Sequence, residues 1–309
     1  MKITCVEPIG ISEKHFEELK EEFASKGHEF HYYMSRDESP AELTKRMNDS
    51  DIVVISNIKL PAEVINACPN LKMLSVAFTG LDHIDLECCR KRDIKVCNAA
   101  GYSTTAVSEL AVGLMIDVLR KITELDASTR HNGSRGMFLG RELRNKTVGI
   151  VGTGAIGTAT IRLLLAFGCK ILAFSRTERQ EVKELGVKYC QLDELMSRGD
   201  IVSLHVPLNN ETTHIIGKHE LSLMKPTAIL INTARGNVVD IDELATALKE
   251  NRIAGAGIDV YEKEPPLQEN HPLLNVPNCV TVPHIAYATR EAFDIRADIV
   301  FDNIRQYLS

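Results

Sequence analysis

The chain contains no CxxC pair, no tandem repeat or low-complexity tract, and no apolar run of the roughly 18 residues needed to span a bilayer. Each absence removes a class. Without CxxC spacing, the eight cysteines at 5, 68, 88, 89, 97, 169, 190 and 279 read as reduced, buried thiols, not as a disulfide framework or redox pair. The adjacent Cys88 and Cys89 have only Asp82-His83 nearby at ligand spacing, so no metal is expected. The N-terminus, MKITCVEPIG, lacks the basic and apolar regions of a signal peptide, and the expected location is the cytoplasm. Positive charge is not in excess either. A net charge of −6 argues against a broad nucleic-acid surface, while leaving room for a local basic pocket that takes one small anion.

What is present is ordinary globular composition, 44% hydrophobic and 25% charged, in a chain of 309 residues that is long enough for two domains. Short apolar runs alternate with amphipathic segments. One series comprises Ile3–Val6, Ile52–Ile55, Lys72–Val76 and Ile94–Cys97. A second comprises Val148–Val151, Ile171–Phe174, Ile201–His205, Ala228–Ile231, Gly255–Val260 and Cys279–Val282. This alternation predicts an α/β fold of parallel sheets covered by helices, and continuous runs such as AILIN suit strands buried on both faces. Between the series, apolar residues from Val107 to Leu119 recur at helical spacing, predicting a long helix over 103–120 that leads from one domain to the other. The polar stretch Arg130–Asn145 reads as a surface loop.

The strongest motif is Gly152-Thr153-Gly154-Ala155-Ile156-Gly157. It directly follows the strand Thr147–Val151, opens a helical pattern through Phe167, and is succeeded by the strand Lys170–Phe174. That βαβ frame predicts dinucleotide binding, with pyrophosphate on the helix N-terminus. An NAD site usually carries an acid after the second strand. Here Ser175-Arg176-Thr177 stands instead, groups that donate to a 2′-phosphate, so NADP is favoured and NAD remains possible.

Three later segments each follow an apolar strand: Asn232-Thr233-Ala234-Arg235-Gly236, then Asp259 through Pro265, and Pro283-His284-Ile285-Ala286. In open parallel sheets, ligands bind at the carboxyl ends of the strands. A His near neutral pKa is the natural acid–base for a hydroxyl that also loses hydride. An Arg fork suits a carboxylate beside a carbonyl. A Glu beside the His fixes its tautomer. Arg235, Glu264 and His284 are therefore the expected catalytic set.

The ordered motifs GTGAIG, LHVPLNNET, INTARG, GIDVYEKEP and VPHIA, with GLDHID at 80–85, resemble the D-isomer-specific 2-hydroxy acid dehydrogenase family along essentially the whole chain. That family includes glyoxylate/hydroxypyruvate reductases and D-lactate and phosphoglycerate dehydrogenases. The resemblance implies two Rossmann-like or flavodoxin-like domains. A discontinuous substrate domain would span 1–98 plus 285–309, and an NAD(P)-binding domain 99–284. It places the catalytic roles on Arg235, Glu264 and His284. Cofactor contacts would come from Gly152, Gly154, Ala155, Ile156 and Gly157, from Ser175, Arg176 and Thr177, and from Val206, Pro207, Thr212, Thr233, Asp259 and His284. The substrate carboxylate would meet the loop containing Phe78, Thr79 and Gly80, together with Arg235 and His284. Phe78 departs from a common Gly and Ala100 from a common Pro, which leaves specificity open. With the sequence ending at Ser309, the regulatory domain of many phosphoglycerate dehydrogenases is not expected, which weakens a serine-biosynthesis reading without excluding it. A homodimer acting on a 2-oxo/2-hydroxy acid is expected. A dinucleotide-sensing co-repressor on the same fold is the alternative.

Overall fold

The computed structural model describes residues 1–263 and 266–309, so Glu264 and Pro265 lie outside the described residues. The chain divides into two compact units, Met1–Ser103 with Ala288–Ser309, and Thr104–Tyr287.

In the first unit the strands are β1 (Lys2–Cys5), β2 (Glu29–Tyr32), β3 (Ile52–Ile55), β4 (Met73–Val76) and β5 (Lys95–Asn98). They alternate with helices α1 (Glu13–Ser25), α2 (Pro40–Met47), α3 (Ala62–Asn66) and α4 (Leu86–Lys91). The five strands form one parallel sheet in the order β2-β1-β3-β4-β5. β3 and β4 are buried at every position, which is why they read as unbroken apolar runs. The strand at β2 has no such signal. EFHY lies at the sheet edge with Glu29 and His31 exposed and only Phe30 buried. Side chains cap the helix starts: Ser12 accepts from the His15 N–H at 3.2 Å, and Asp85 from the Cys88 N–H at 2.8 Å.

The second unit opens with α5 (Thr104–Arg120) and α6 (Ile122–Arg130). Then follow β6 (Thr147–Val151), α7 (Ala155–Ala166), β7 (Lys170–Phe174), α8 (Gln180–Lys183), β8 (Lys188–Tyr189), α9 (Leu192–Arg198) and β9 (Ile201–Leu204). α10 (Lys218–Leu223), β10 (Ile229–Asn232), α11 (Ile241–Lys249), β11 (Gly255–Ile258) and β12 (Cys279–Thr281) complete it. The last helix of the chain, α12 (Arg290–Leu308), belongs to the first unit. The seven strands form a parallel sheet ordered β12-β11-β10-β9-β6-β7-β8. One apolar cluster covers one face with residues of α9, α10 and α11, and another covers the opposite face with α5 and α7. Both predicted strands flanking the glycine motif have the predicted bounds.

Small residues in β11 explain how closely α5 docks. A Cβ on Gly255 would fall 2.7 Å from Val118 and one on Gly257 3.0 Å from Leu114, so larger residues there would push the helix off the sheet. The strand order reverses direction at β6 and β9, and the carboxyl ends of those two strands are where a doubly wound sheet receives its ligand.

All eight cysteines are free; Cys97, Cys190 and Cys279 are half-buried and the rest buried. Among the described residues, no helix is long and apolar enough to cross a membrane.

Candidate active site

At the end of β6 the chain turns at Gly152, whose φ of +98° lies where L side chains are strained. A Cβ there would also meet the His205 carbonyl oxygen at 2.6 Å. At Gly157 a Cβ would collide with the Gly152 carbonyl oxygen, so the first turn of α7 can pack on the loop only with glycine. Gly154 is the N-cap of α7, and a Cβ on it would meet no heavy atom within 4 Å, which leaves open space above the helix N-terminus. Three glycines thus do three jobs: they turn the chain, permit close packing, and leave room for a ligand.

Tyr189, on the two-residue strand β8, ties this loop to the next one. Its hydroxyl donates to Thr153 Oγ1 at 2.9 Å and accepts from the Arg179 N–H at 3.1 Å. Neither composition nor periodicity marks Tyr189, because its importance comes only from the pairing of β7 with β8. Within the 175–179 segment, Ser175 is half-buried, while Arg176 and Thr177 are exposed. The Arg176 guanidinium donates to Glu211 at 3.1 Å, with 84% of its side chain exposed.

After β9, His205 packs beneath the glycine loop, with Nε2 3.0 Å from Ser203 Oγ. Burial pushes its pKa down to about 4, so it stays neutral at physiological pH. Val206 is half-buried and Pro207 exposed. Thr212 is engaged within its own loop: its hydroxyl donates to the Pro207 carbonyl at 2.6 Å and accepts from the Asn209 N–H at 2.8 Å.

Beyond β10, the Asn232 side chain shapes the turn that carries Arg235. Its amide donates to the Arg235 carbonyl at 2.9 Å and its oxygen accepts from the Ala234 N–H at 3.0 Å. Gly236 lets this turn press onto the exit of β11, since a Cβ would collide with the Tyr261 carbonyl. Thr233 is buried, and among the described residues its Oγ1 has no hydrogen-bond partner.

Asp259, the first residue past β11, is fully buried. Its carboxylate accepts from the Ile285 N–H at 2.7 Å and the Ala286 N–H at 3.1 Å, and its carbonyl accepts from the His284 N–H at 2.8 Å. Tyr261 holds the same segment from below, donating to the Val282 carbonyl at 3.0 Å. His284 therefore sits on a tightly bound turn, in a left-handed conformation (φ +53°), with its ring edge-to-face against Tyr287 at 5.2 Å. β10, β11 and β12 are neighbours in parallel register, so Arg235, Asp259 and His284 leave the sheet from three successive strand ends. Glu264 lies outside the described residues.

In the first unit, Phe78 follows β4 and is buried, its ring 6.4 Å from those of both His83 and Tyr102. The side chain is thus part of that unit's packing. Thr79, exposed, and Gly80, half-buried, form the accessible part of the loop. Elsewhere, ligand atoms of Asp193, His219 and Glu220 approach within 4.8 Å of one another. Glu220 there caps the Gly217 N–H at 2.9 Å, and two helix N-termini meet at the cluster, which disfavours a cation.

Comparison with known proteins decides the family. Residues 112–286, which fall inside the second unit, match the family described as "D-isomer specific 2-hydroxyacid dehydrogenase, NAD binding domain". The chain is 43% identical over 280 residues to a glyoxylate reductase of Thermofilum pendens, covering 87% of this chain and 82% of that protein. It is 41% identical to a D-3-phosphoglycerate dehydrogenase of Archaeoglobus fulgidus over 84% of this chain, which spans only 49% of that longer protein. An acyclic imino acid reductase solved with NADPH and D-Arg superposes with a TM-score of 0.90 at 31% identity, covering 100% of this chain and 97% of that one. The chain belongs to the D-isomer specific 2-hydroxyacid dehydrogenase family.

The residues of this family member fit a nicotinamide dinucleotide. The α7 N-terminus offers N–H groups beneath the open space at Gly154, the Thr233 hydroxyl is buried without a partner among the described residues, and both lie at carboxyl ends of the sheet. As a 2-hydroxyacid dehydrogenase, it carries an Arg and a His at the exits of strands on either side of β11, a combination that can bind a 2-oxo acid and move a proton at its C2 oxygen.

Proposed function

We propose that this enzyme reduces a small 2-oxo acid to the D-2-hydroxy acid, with a substrate of glyoxylate or hydroxypyruvate size and NADPH as preferred reductant. The observation that carries the proposal is the turn at His284, which Asp259 fixes by two backbone hydrogen bonds beside the Arg235 turn. The likeness to glyoxylate reductases supports the substrate class.

When bound, the nicotinamide supplies the hydride for C2. The chain supplies the rest. Arg235 holds the carboxylate and polarises the adjacent carbonyl through parallel N–H donors. His284, in its protonated form, gives a proton to the oxygen on C2 as negative charge develops there. Glu264 is assigned the role of fixing the His284 tautomer, on the resemblance alone. On the same ground, the N–H groups of the Phe78–Gly80 loop are assigned to the substrate carboxylate. Gly152, Gly154, Ala155, Ile156 and Gly157 cradle pyrophosphate, with Val206, Pro207, Thr212 and Thr233 along the neighbouring strand exits. Ser175, Arg176 and Thr177 receive the 2′-phosphate, and the NADPH bound in the imino acid reductase is consistent with that preference. Asp259 holds the His284 turn and faces the nicotinamide end.

The enzyme is assigned to the cytoplasm as a homodimer. Met137 and Leu139, 96% and 79% exposed in the stretch after α6, support a surface that a second copy covers. The deciding experiment crosses NADH and NADPH with glyoxylate, hydroxypyruvate, pyruvate and bulkier 2-oxo acids. No cofactor oxidation with any of these acids would overturn the activity. A preference for NADH of about tenfold or more would overturn the cofactor assignment alone.

A further inference from the structure

Arg296, on α12, is 3% exposed, which is unusual for a guanidinium. Its Nη2 donates to the Ile9 carbonyl at 2.7 Å and its Nη1 to the Ala77 carbonyl at 3.4 Å. Those two carbonyls belong to the segments leaving β1 and β4. The group is stacked 4.0 Å from the Phe293 ring centroid, and Tyr102 lies 5.6 Å away on the path to Phe78. Gly10 is part of the same assembly, since a Cβ there would fall 2.5 Å from the Phe293 ring. Ser75 anchors the helix itself, donating to the Val300 carbonyl at 2.9 Å.

The charge of Arg296 is not matched by direct contact. Among the described residues it has no ion pair, and its Nε is buried without an acceptor. Glu7, the buried carboxylate of this unit, is hydrogen-bonded by the Ser56 N–H at 2.7 Å and by Arg36, and feels the Arg296 charge only through space. Arg46, the other buried cation here, pairs with Glu42 at 3.1 Å. Holding a guanidinium in such a place is unfavourable unless its field or its hydrogen bonds serve something. A methionine would fill the same volume between two aromatic rings.

What lies immediately above is the loop that begins at Ala77. Ala77 is gripped three ways, by Arg296, by Ser56 Oγ at 3.3 Å, and through its own N–H to the Ile55 carbonyl at 2.7 Å. Two residues on, the Thr79 and Gly80 N–H groups have no hydrogen-bond partner among the described residues. The loop is fixed at its root by a cation and presents unused donors at its tip. That combination suits an arriving carboxylate.

We propose that Arg296 is a positioning residue for substrate: it fixes the Ala77 carbonyl so that the Thr79 and Gly80 N–H groups face the 2-oxo acid's carboxylate, and it adds positive potential beneath them. The inference rests on the activity proposed above. It makes substrate affinity, not hydride transfer, depend on a residue of the C-terminal helix.

The test compares wild type with Arg296→Met and Arg296→Lys on glyoxylate and pyruvate and on their methyl esters, which keep the carbonyl and lack the carboxylate. Arg296→Met should raise KM for the acids about tenfold or more, with kcat and NADPH affinity nearly unchanged and ester kinetics unaltered. Arg296→Lys should recover part of the loss, because it keeps the charge and gives up the fork. Equal losses on acid and ester, or an unchanged KM for the acids, would overturn the proposal. Should Arg296→Met fail to fold, Arg296→Lys alone decides: a rise in KM confined to the acids supports the role, and wild-type KM refutes it. If wild type reduces no 2-oxo acid, the activity assignment falls and this role falls with it, a result distinct from any failure specific to Arg296.

Discussion

The Asp259 carboxylate accepts the backbone N–H of Ile285 at 2.7 Å, so the residue after His284 is held by a fully buried side chain. Asp259→Asn keeps at most one of the two acceptors and turns an amide N–H₂ toward a backbone N–H. The variant should lose about 1–3 kcal/mol of stability in a denaturant melt. Turnover should fall further than stability explains, because the His284 ring moves with that turn. A variant with wild-type stability and kcat would show that the turn holds itself.

His284 should tolerate Asn structurally, since Asn is among the residues that accept a left-handed backbone at φ +53°. His284→Asn should therefore fold normally and bind NADPH normally while losing about 10²–10⁴ in kcat, the usual worth of a positioned acid–base. Tryptic resistance and cofactor titration check the first part, and steady-state assays the second. Near-normal turnover would remove His284 from the proton-transfer role.

Gly154 and Gly157, neighbours in one motif, should respond differently to the same methyl group. Gly157→Ala places a Cβ against the Gly152 carbonyl and should lower the melting temperature by several degrees, roughly what 1–3 kcal/mol implies for a chain of this size. Gly154→Ala meets open space, so the apo protein should melt as wild type while NADPH binding weakens. Identical behaviour of the two variants would argue against a ligand over the α7 N-terminus.

Much of this site is legible in the sequence, and the illegible part has a common physical cause. β6, α7 and β7 announce themselves because both strands are buried on two faces and the glycines punctuate them. Arg235 and His284 can be placed after strands for the same reason. By contrast, β2 alternates exposed and buried residues over four positions at a sheet edge, and β8 is two residues long, so neither carries enough pattern to register. The actions of Asn232, Asp259 and Tyr189 are invisible in one dimension, because each depends on a partner brought near by strand pairing or by a turn. Phe78 shows the same dependence on the third dimension: its ring packs 6.4 Å from those of Tyr102 and His83, contacts that no spacing in the sequence announces.

The Arg176–Glu211 pair is exposed on both sides, so breaking it costs little and Arg176 is available to an anion. Arg176→Ala should reduce kcat/KM with NADPH by about tenfold to a hundredfold and leave NADH nearly unaffected. Glu211→Gln should shift the ratio slightly the other way, by removing a competitor for the guanidinium. Equal effects on both cofactors would place Arg176 outside the 2′-phosphate site.

His205 gives a prediction in pH. Its pKa is about 4 in the fold, lowered by burial from 6.5, so between those values the unfolded chain binds more protons than the folded one. Stability should therefore fall as pH drops from 6.5 toward 4 and be regained on returning to neutrality. His205→Gln, which preserves a partner for Ser203, should flatten that part of the curve of melting temperature against pH. An unchanged curve would assign the acid sensitivity elsewhere.

The phenol of Tyr189 joins Thr153 in the glycine-rich loop to Arg179 in the segment proposed to choose between cofactors. On that proposal, grip on the dinucleotide and discrimination at its adenosine end are expected to be coupled traits. An effort to convert the enzyme from one reductant to the other by rewriting residues 175–179 would disturb both at once unless that three-residue relay is kept.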